Sequence, residues 1–141
     1  MLEEIQYQCG KRRRGEVSQH EINIEVTDPI LGYIQKFHDL AMVSAHEADT
    51  YRRCGFAEEA KESASIAYVA AESAADMAKR RCDFEPTRGV LFLNAAWFAI
   101  NCGLFTKAKE LATEGLAGNP PEEFADKLRE ALAAAEKGGG E

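Results

Sequence analysis

A chain of 141 residues has the length of one domain and is long enough to bury a core without disulfides or metal ions. Its net charge of −7 is unevenly placed, because residues 1–15 are basic on balance and leave −9 for the rest. This acidic body argues against nucleic acid and anionic membranes as partners. No apolar run approaches the ~20 residues that span a bilayer, so we expect no membrane partner.

The cysteines indicate a reducing compartment. Cys9, Cys54, Cys82 and Cys102 contain no C-x-x-C pair, and no secretory segment precedes them, which predicts a cytoplasmic protein. Cys54 and Cys102 each precede a glycine, where a small side chain suits the last turn of a helix. A catalytic thiol is the alternative interpretation, but the sequence places no histidine beside either residue.

Residues 1–27 are predicted to form an N-terminal extension. Polar residues alternate there with two apolar sets, which are Ile5, Tyr7 and Cys9, and then Ile22, Ile24 and Val26. Period two predicts a β-hairpin across the charged loop between the two sets. A disordered terminus is the alternative, because a two-stranded ribbon is marginal in water.

Residues 28–137 are predicted to be almost entirely helical. Asp28 and Pro29 form a typical helix start, and apolar residues then recur every three or four positions up to Gly55. An alanine-rich helix follows over about residues 57–81, and its small side chains favour close contact with its neighbours.

The next stretch, residues 89–120, predicts two shorter helices that meet at Gly103. Asn119 and the two prolines after it begin a fifth helix, whose acidic first turn suits the positive end of the helix dipole. Its single apolar face is typical of a terminal cap on a helical stack. Residues 138–141 are expected to be a disordered tail.

Two segments echo each other 48 residues apart, with cysteine, glycine, alanine and lysine in step. They are Cys54-Gly55-Phe56-Ala57-Glu58-Glu59-Ala60-Lys61 and Cys102-Gly103-Leu104-Phe105-Thr106-Lys107-Ala108-Lys109. Counted as a 34-residue unit from Gly89, the later segment resembles the tetratricopeptide repeat (TPR). The matching positions are Ala96, Gly103, Phe105, Ala108 and Pro120.

The earlier copy matches this repeat at fewer positions, which are Ala48, Gly55 and Ala60. Its spacing exceeds the repeat by about four helical turns, which lengthens the helices without changing the way they face. Phe92, Ala99 and Ala112 stand where the TPR unit has tryptophan, tyrosine and a second aromatic residue, which implies a thin core. The resemblance covers roughly residues 41–122 and implies two degenerate TPR-like units in a superhelical stack.

The stretch that begins with Glu85-Pro86-Thr87-Arg88 and ends with Gly118-Asn119-Pro120-Pro121-Glu122 resembles that of a group of small bacterial TPR-like proteins, from which no activity carries over. TPR modules in general are adaptors or scaffolds that bind a peptide or partner helix in the groove of their first helices. The resemblance therefore implies a protein-binding function.

Mapped onto this chain, the groove residues implied by the resemblance are Asp49, Arg52 and Arg53 from the earlier copy, and Val90, Leu93, Asn94, Trp97 and Asn101 from the later one. Trp97 has two interpretations. It is either a packing residue or an exposed anchor, since aromatic residues and arginine dominate binding hot spots.

The sequence carries no signature of an enzyme, metal site or cofactor. His46-Glu47 begins like a zinc-protease motif, but Thr50 stands where H-E-x-x-H requires histidine. We therefore expect no catalytic residue, no metal and no cofactor. The alternatives to an adaptor are a structural homo-oligomer and a small helical-bundle enzyme such as a nuclease.

Self-association is also expected from the number of repeats. Solenoid repeats usually need about three units for stability, and this chain offers two and a cap. An apolar surface is therefore left over, and either the N-terminal extension or a second copy is expected to cover it. We predict a homodimer in which Ile34 and Phe37 contribute.

Overall fold

The computed structural model describes residues 28–139, which fold into five α-helices and one 3₁₀ turn, Cys82–Phe84. The helices are α1 (Pro29–Arg53), α2 (Ala57–Ala78), α3 (Thr87–Asn101), α4 (Phe105–Ala117) and α5 (Glu122–Gly139). No strand occurs within these residues, and the predicted all-α class with five helices is confirmed. The β-hairpin expected in residues 1–27 lies outside the described residues and stays a prediction.

The first helix begins as the sequence predicts. The Asp28 side chain accepts a hydrogen bond from the backbone N–H of Ile30 at 3.2 Å, and Pro29 occupies the first helical position. At the far end of the chain, α5 passes the predicted boundary at residue 137 and includes Gly138 and Gly139. A Cβ atom at Gly139 would lie 2.8 Å from Cβ of Phe105, so the absent side chain lets the helix end pack there.

The two echoing segments form two turns with the same backbone geometry. Gly55 and Gly103 have φ angles of 87° and 78°, the left-handed conformation that glycine adopts without strain. Each glycine N–H bonds to the carbonyl three residues back, at 3.2 Å in the first turn and 2.9 Å in the second. The next N–H bonds to the carbonyl five residues back, at 2.9 and 2.8 Å. Both turns are therefore Schellman motifs that end one helix and start the next.

The helices pack in chain order, and α5 also returns to contact α3. Seven buried alanines of α2 form what we call the alanine seam: Ala60, Ala67, Ala70, Ala71, Ala74, Ala75 and Ala78. Their short side chains allow helix axes to approach near the lower end of the usual 8–10 Å. The alanine seam therefore spaces α2 closely against its neighbours.

Larger side chains fill the core between α3, α4 and α5. Phe92, Leu91 and Leu128 are among the largest residues that are almost fully enclosed. A Cβ atom at Gly115 would lie 2.8 Å from Leu128 Cδ2 and 2.9 Å from Phe92 Cβ, so a glycine is required where α4 crosses this core. No helix in residues 28–139 combines the length and apolar character that crossing a bilayer requires.

Candidate functional site

Four of the predicted groove residues lie on one side of α3. Val90, Asn94, Trp97 and Asn101 are separated by four, three and four residues, a spacing that aligns them along a helix. Val90 and Asn94 are half-buried, whereas Trp97 and Asn101 are exposed. We call these four residues the groove stripe.

Leu93 does not belong to the groove stripe, and its predicted role there is wrong. It is only 9% exposed and packs within the apolar core. Leu93 lies three residues after Val90 and four before Trp97, so it borders the groove stripe on the side of α3 that packs into the core.

Trp97 is open to solvent. Its exposed fraction is 38%, and it is neither part of the buried apolar cluster nor among the half-buried residues packed against that cluster. Phe98, its neighbour in the chain, does pack against the cluster. This placement favours the interpretation of Trp97 as an exposed anchor over the interpretation as a core residue.

The three predicted groove residues of α1 form a charged cluster at the end of that helix. Asp49 Oδ1 lies 3.0 Å from Arg52 Nη1, and Asp49 Oδ2 lies 3.1 Å from Arg53 Nη2. All three side chains are more than half exposed, so the ion pairs contribute little to stability. Two guanidinium groups share one carboxylate, which leaves a net positive charge at this point of an acidic chain.

A small cavity joins the end of α1 to the end of α3. Its volume is about 60 Å³, and it is lined by Ala45, Ala48, Arg52, Ala64, Ala67, Phe98 and Asn101. Arg52 from α1 and Asn101 from the groove stripe thus lie at the same cavity. The cavity is mostly walled by alanine, and its polar groups come from these two residues.

A second polar cluster lies inside the fold and was not predicted. Arg88, in the first turn of α3, is only 2% exposed. Its Nε donates to the carbonyl of Lys79 at 2.8 Å, and its Nη2 donates to the carbonyl of Glu114 at 3.1 Å and to Glu114 Oε2 at 3.2 Å. Nη1 donates to the carbonyl of Gly115 at 3.4 Å. Arg88 therefore satisfies carbonyls from the ends of α2 and α4.

Glu85 completes this cluster. Its Oε1 accepts from the Gly89 backbone N–H at 3.0 Å, its Oε2 accepts from the Asn119 N–H at 2.9 Å, and Oε2 also lies 3.8 Å from Arg88 Nη1. A Cβ atom at Gly118 would lie 2.6 Å from Glu85 Oε2, so this approach requires glycine. We call Glu85, Arg88 and Glu114 the arginine joint. It connects the two ends of the stretch from residue 85 to residue 122. Its buried groups hold helix ends together and are not open to a ligand.

Of the two cysteines with a predicted packing role, Cys102 packs against the apolar core and Cys54 does not. Cys54 and Cys82 are exposed, so Cys54 does not pack in a helix end as expected. Cys102 is half-buried, its Sγ lies 3.6 Å from the Ala64 carbonyl, and burial raises the pKa of its thiol. Among residues 28–139, no group of three or more His, Cys, Asp and Glu side chains is arranged to hold a metal ion.

Comparisons with known proteins found no relative of this chain. The chain matches no family model, and no curated protein or solved structure matches it. The resemblance to TPR therefore stays a prediction.

Proposed function

We propose that this chain is a protein-binding module without catalytic activity, which holds a peptide or helix of a partner protein against the groove stripe of α3 and the end of α1. The observation that carries the proposal is Trp97, an exposed aromatic residue on a stripe that leads to the cavity at Arg52. Exposed tryptophan beside arginine is the composition of binding hot spots.

The chemistry of these residues indicates which partner groups fit. Trp97 offers an aromatic face to an apolar side chain, and Asn94 and Asn101 on either side of it offer amides for backbone hydrogen bonds. Arg52 and Arg53 favour a carboxylate, because they share Asp49 as their common anion. We therefore infer a ligand segment that carries a bulky apolar residue close to an acidic one.

Binding by purified components tests the proposal. Capture with the full chain from a native lysate, followed by mass spectrometry, identifies candidate partners, and titration with each purified candidate measures the dissociation constant. Trp97→Ala is expected to weaken binding at least about tenfold, with an unchanged circular dichroism spectrum.

Val69→Ala is the matched control, because Val69 is an exposed apolar residue on α2. It should leave the dissociation constant unchanged. Equal losses in both variants would contradict binding at the groove stripe. Unfolding of the Trp97→Ala variant would instead assign Trp97 to packing.

A further inference from the structure

A row of apolar side chains on α1 is exposed to solvent, and one of them, Tyr51, contacts the Phe56 ring edge to face with 6.3 Å between the ring centroids. Tyr33, Leu40, Val43 and Tyr51 are exposed by 53%, 46%, 56% and 36%, and we call them the outer stripe. The outer stripe lies on a different side of α1 from the buried residues, such as Ala41 and Ala48, that pack against the rest of the fold. Exposed apolar side chains grouped on one side of a helix are typical of an interaction site.

Two charged residues of opposite sign interrupt the outer stripe. Lys36 and Glu47 lie along the same side of α1, and within residues 28–139 neither takes part in an ion pair. The only neighbour of the Lys36 ammonium among the described contacts is the Tyr33 ring, with Nζ at 5.9 Å from its centroid. Among the described residues, Lys36 and Glu47 therefore have no ion-pair partner in their own chain.

The order of these residues is symmetric. Lys36, Leu40, Val43 and Glu47 are separated by four, three and four residues, a spacing that reads the same in both directions. When a second α1 runs antiparallel to the first, Lys36 therefore faces Glu47 of the other copy and Leu40 faces Val43 of the other copy. A two-fold axis generates each of these contacts twice.

We propose that the outer stripe is a homodimer interface in which two copies of α1 pack antiparallel across a two-fold axis. Charge complementarity favours a second copy as the occupant, because the antiparallel arrangement places Lys36 of each copy against Glu47 of the other. The strip from residue 36 to 47 contains one positive and two negative side chains, since Asp39 is also exposed there, and its formal charge of −1 against −7 for the whole chain keeps repulsion between two copies weak. This proposal is independent of the function assigned to the groove stripe.

The interface differs in one residue from the dimer expected from the sequence. Ile34 is buried in the core of its own chain and is not open to a second copy. Phe37 is half-buried beside the outer stripe and packs partly on the core. The adjacent exposed residues Leu40 and Val43 take the central place instead.

Charge exchange in the full chain tests this arrangement. Sedimentation equilibrium over a wide range of concentrations should show a dimer of the unchanged protein. Lys36→Glu and Glu47→Lys should each raise the dimer dissociation constant at least about tenfold, because every substitution creates two like-charge contacts across the axis. An equal mixture of the two variants should regain a dimer, since the glutamate introduced in one variant then faces the lysine introduced in the other.

Lys127→Glu and Glu130→Lys make the same charge changes at exposed positions on α5 and should leave dimerisation unaffected. Circular dichroism of all four variants confirms that they fold. An unchanged protein that stays monomeric at every concentration would overturn the proposal. Two dissociated variants whose mixture stays monomeric would overturn the antiparallel register.

Discussion

The α1–α2 hairpin and the α3–α4 hairpin share one turn but differ in how their outer sides are closed. In the second hairpin, α5 covers α3 and α4, and the arginine joint connects the ends of α2 and α4 to α3. The two echoing segments are 48 residues apart, so the position in the first hairpin that corresponds to Arg88 is Leu40. Leu40 is exposed. The turn therefore determines that a hairpin forms, and residues outside the turn determine which of its faces remain open.

Substitution of Arg88 gives the largest expected effect on this comparison. Arg88→Met leaves the carbonyls of Lys79 and Gly115 and the carboxylate of Glu85 without their buried partner, so the free energy of unfolding should fall by about 3–5 kcal/mol. Leu40→Met, at the corresponding position of the first hairpin, should change it by less than about 1 kcal/mol. Urea denaturation of both variants measures the difference. Similar losses of unfolding free energy at the two positions would contradict the difference between the two hairpins.

The two turns should respond equally to substitution of their glycines. Gly55→Ala and Gly103→Ala each place a Cβ atom in the left-handed conformation, which costs about 1–2 kcal/mol. Neither added methyl group meets a neighbouring atom within 4 Å, so backbone strain is the only effect in both cases. Thermal or urea denaturation checks the equality. A large loss at one glycine and none at the other would show that the turns are not equivalent.

The smallest expected effect concerns pH and the first hairpin. His38 is buried on α1, and desolvation lowers its pKa from the ordinary 6.5. The unfolded chain therefore binds the proton more readily, so this contribution to stability is complete above about pH 6.5 and is lost as the pH falls through that value.

The slope of unfolding free energy against pH near 6.5 should be smaller in His38→Asn than in the unchanged protein. His46→Asn is the matched control, since His46 is exposed on the same helix. An unchanged slope in the His38 variant would show that His38 does not cause the pH dependence of stability.

Local signals in the sequence predicted the helices well. Asp28 and Pro29 marked the start of α1, and Gly55 and Gly103 marked the two turns, because caps and left-handed glycines depend on residues close by in the chain. The groove residues came from the resemblance to TPR and not from such a local signal. Leu93 has the same three- and four-residue spacing to Val90 and Trp97 as the stripe has within itself, so only the structure shows that it is buried.

The arginine joint was not predicted, because its contacts link distant parts of the chain. Glu85 bonds to Asn119 and Arg88 bonds to Glu114, and no periodicity in the sequence reports such pairs. The sequence feature related to this joint is the pair of segments at the two ends of the stretch from residue 85 to residue 122. Only the structure shows that these two segments contact each other, with Gly118 against Glu85.

The alanine seam has a consequence for how the fold responds to a bound partner. Alanine has no side-chain rotamers, so the contacts of α2 lose no side-chain entropy on folding and offer no alternative side-chain packing. Four alanines line the cavity at Arg52, one of them Ala67 of the alanine seam, and they cannot widen it by rotamer changes. Only Arg52, Phe98 and Asn101, or a shift of a whole helix, can change its shape. A partner bound there, as proposed, would meet a largely preorganised wall, which lowers the entropic cost of binding.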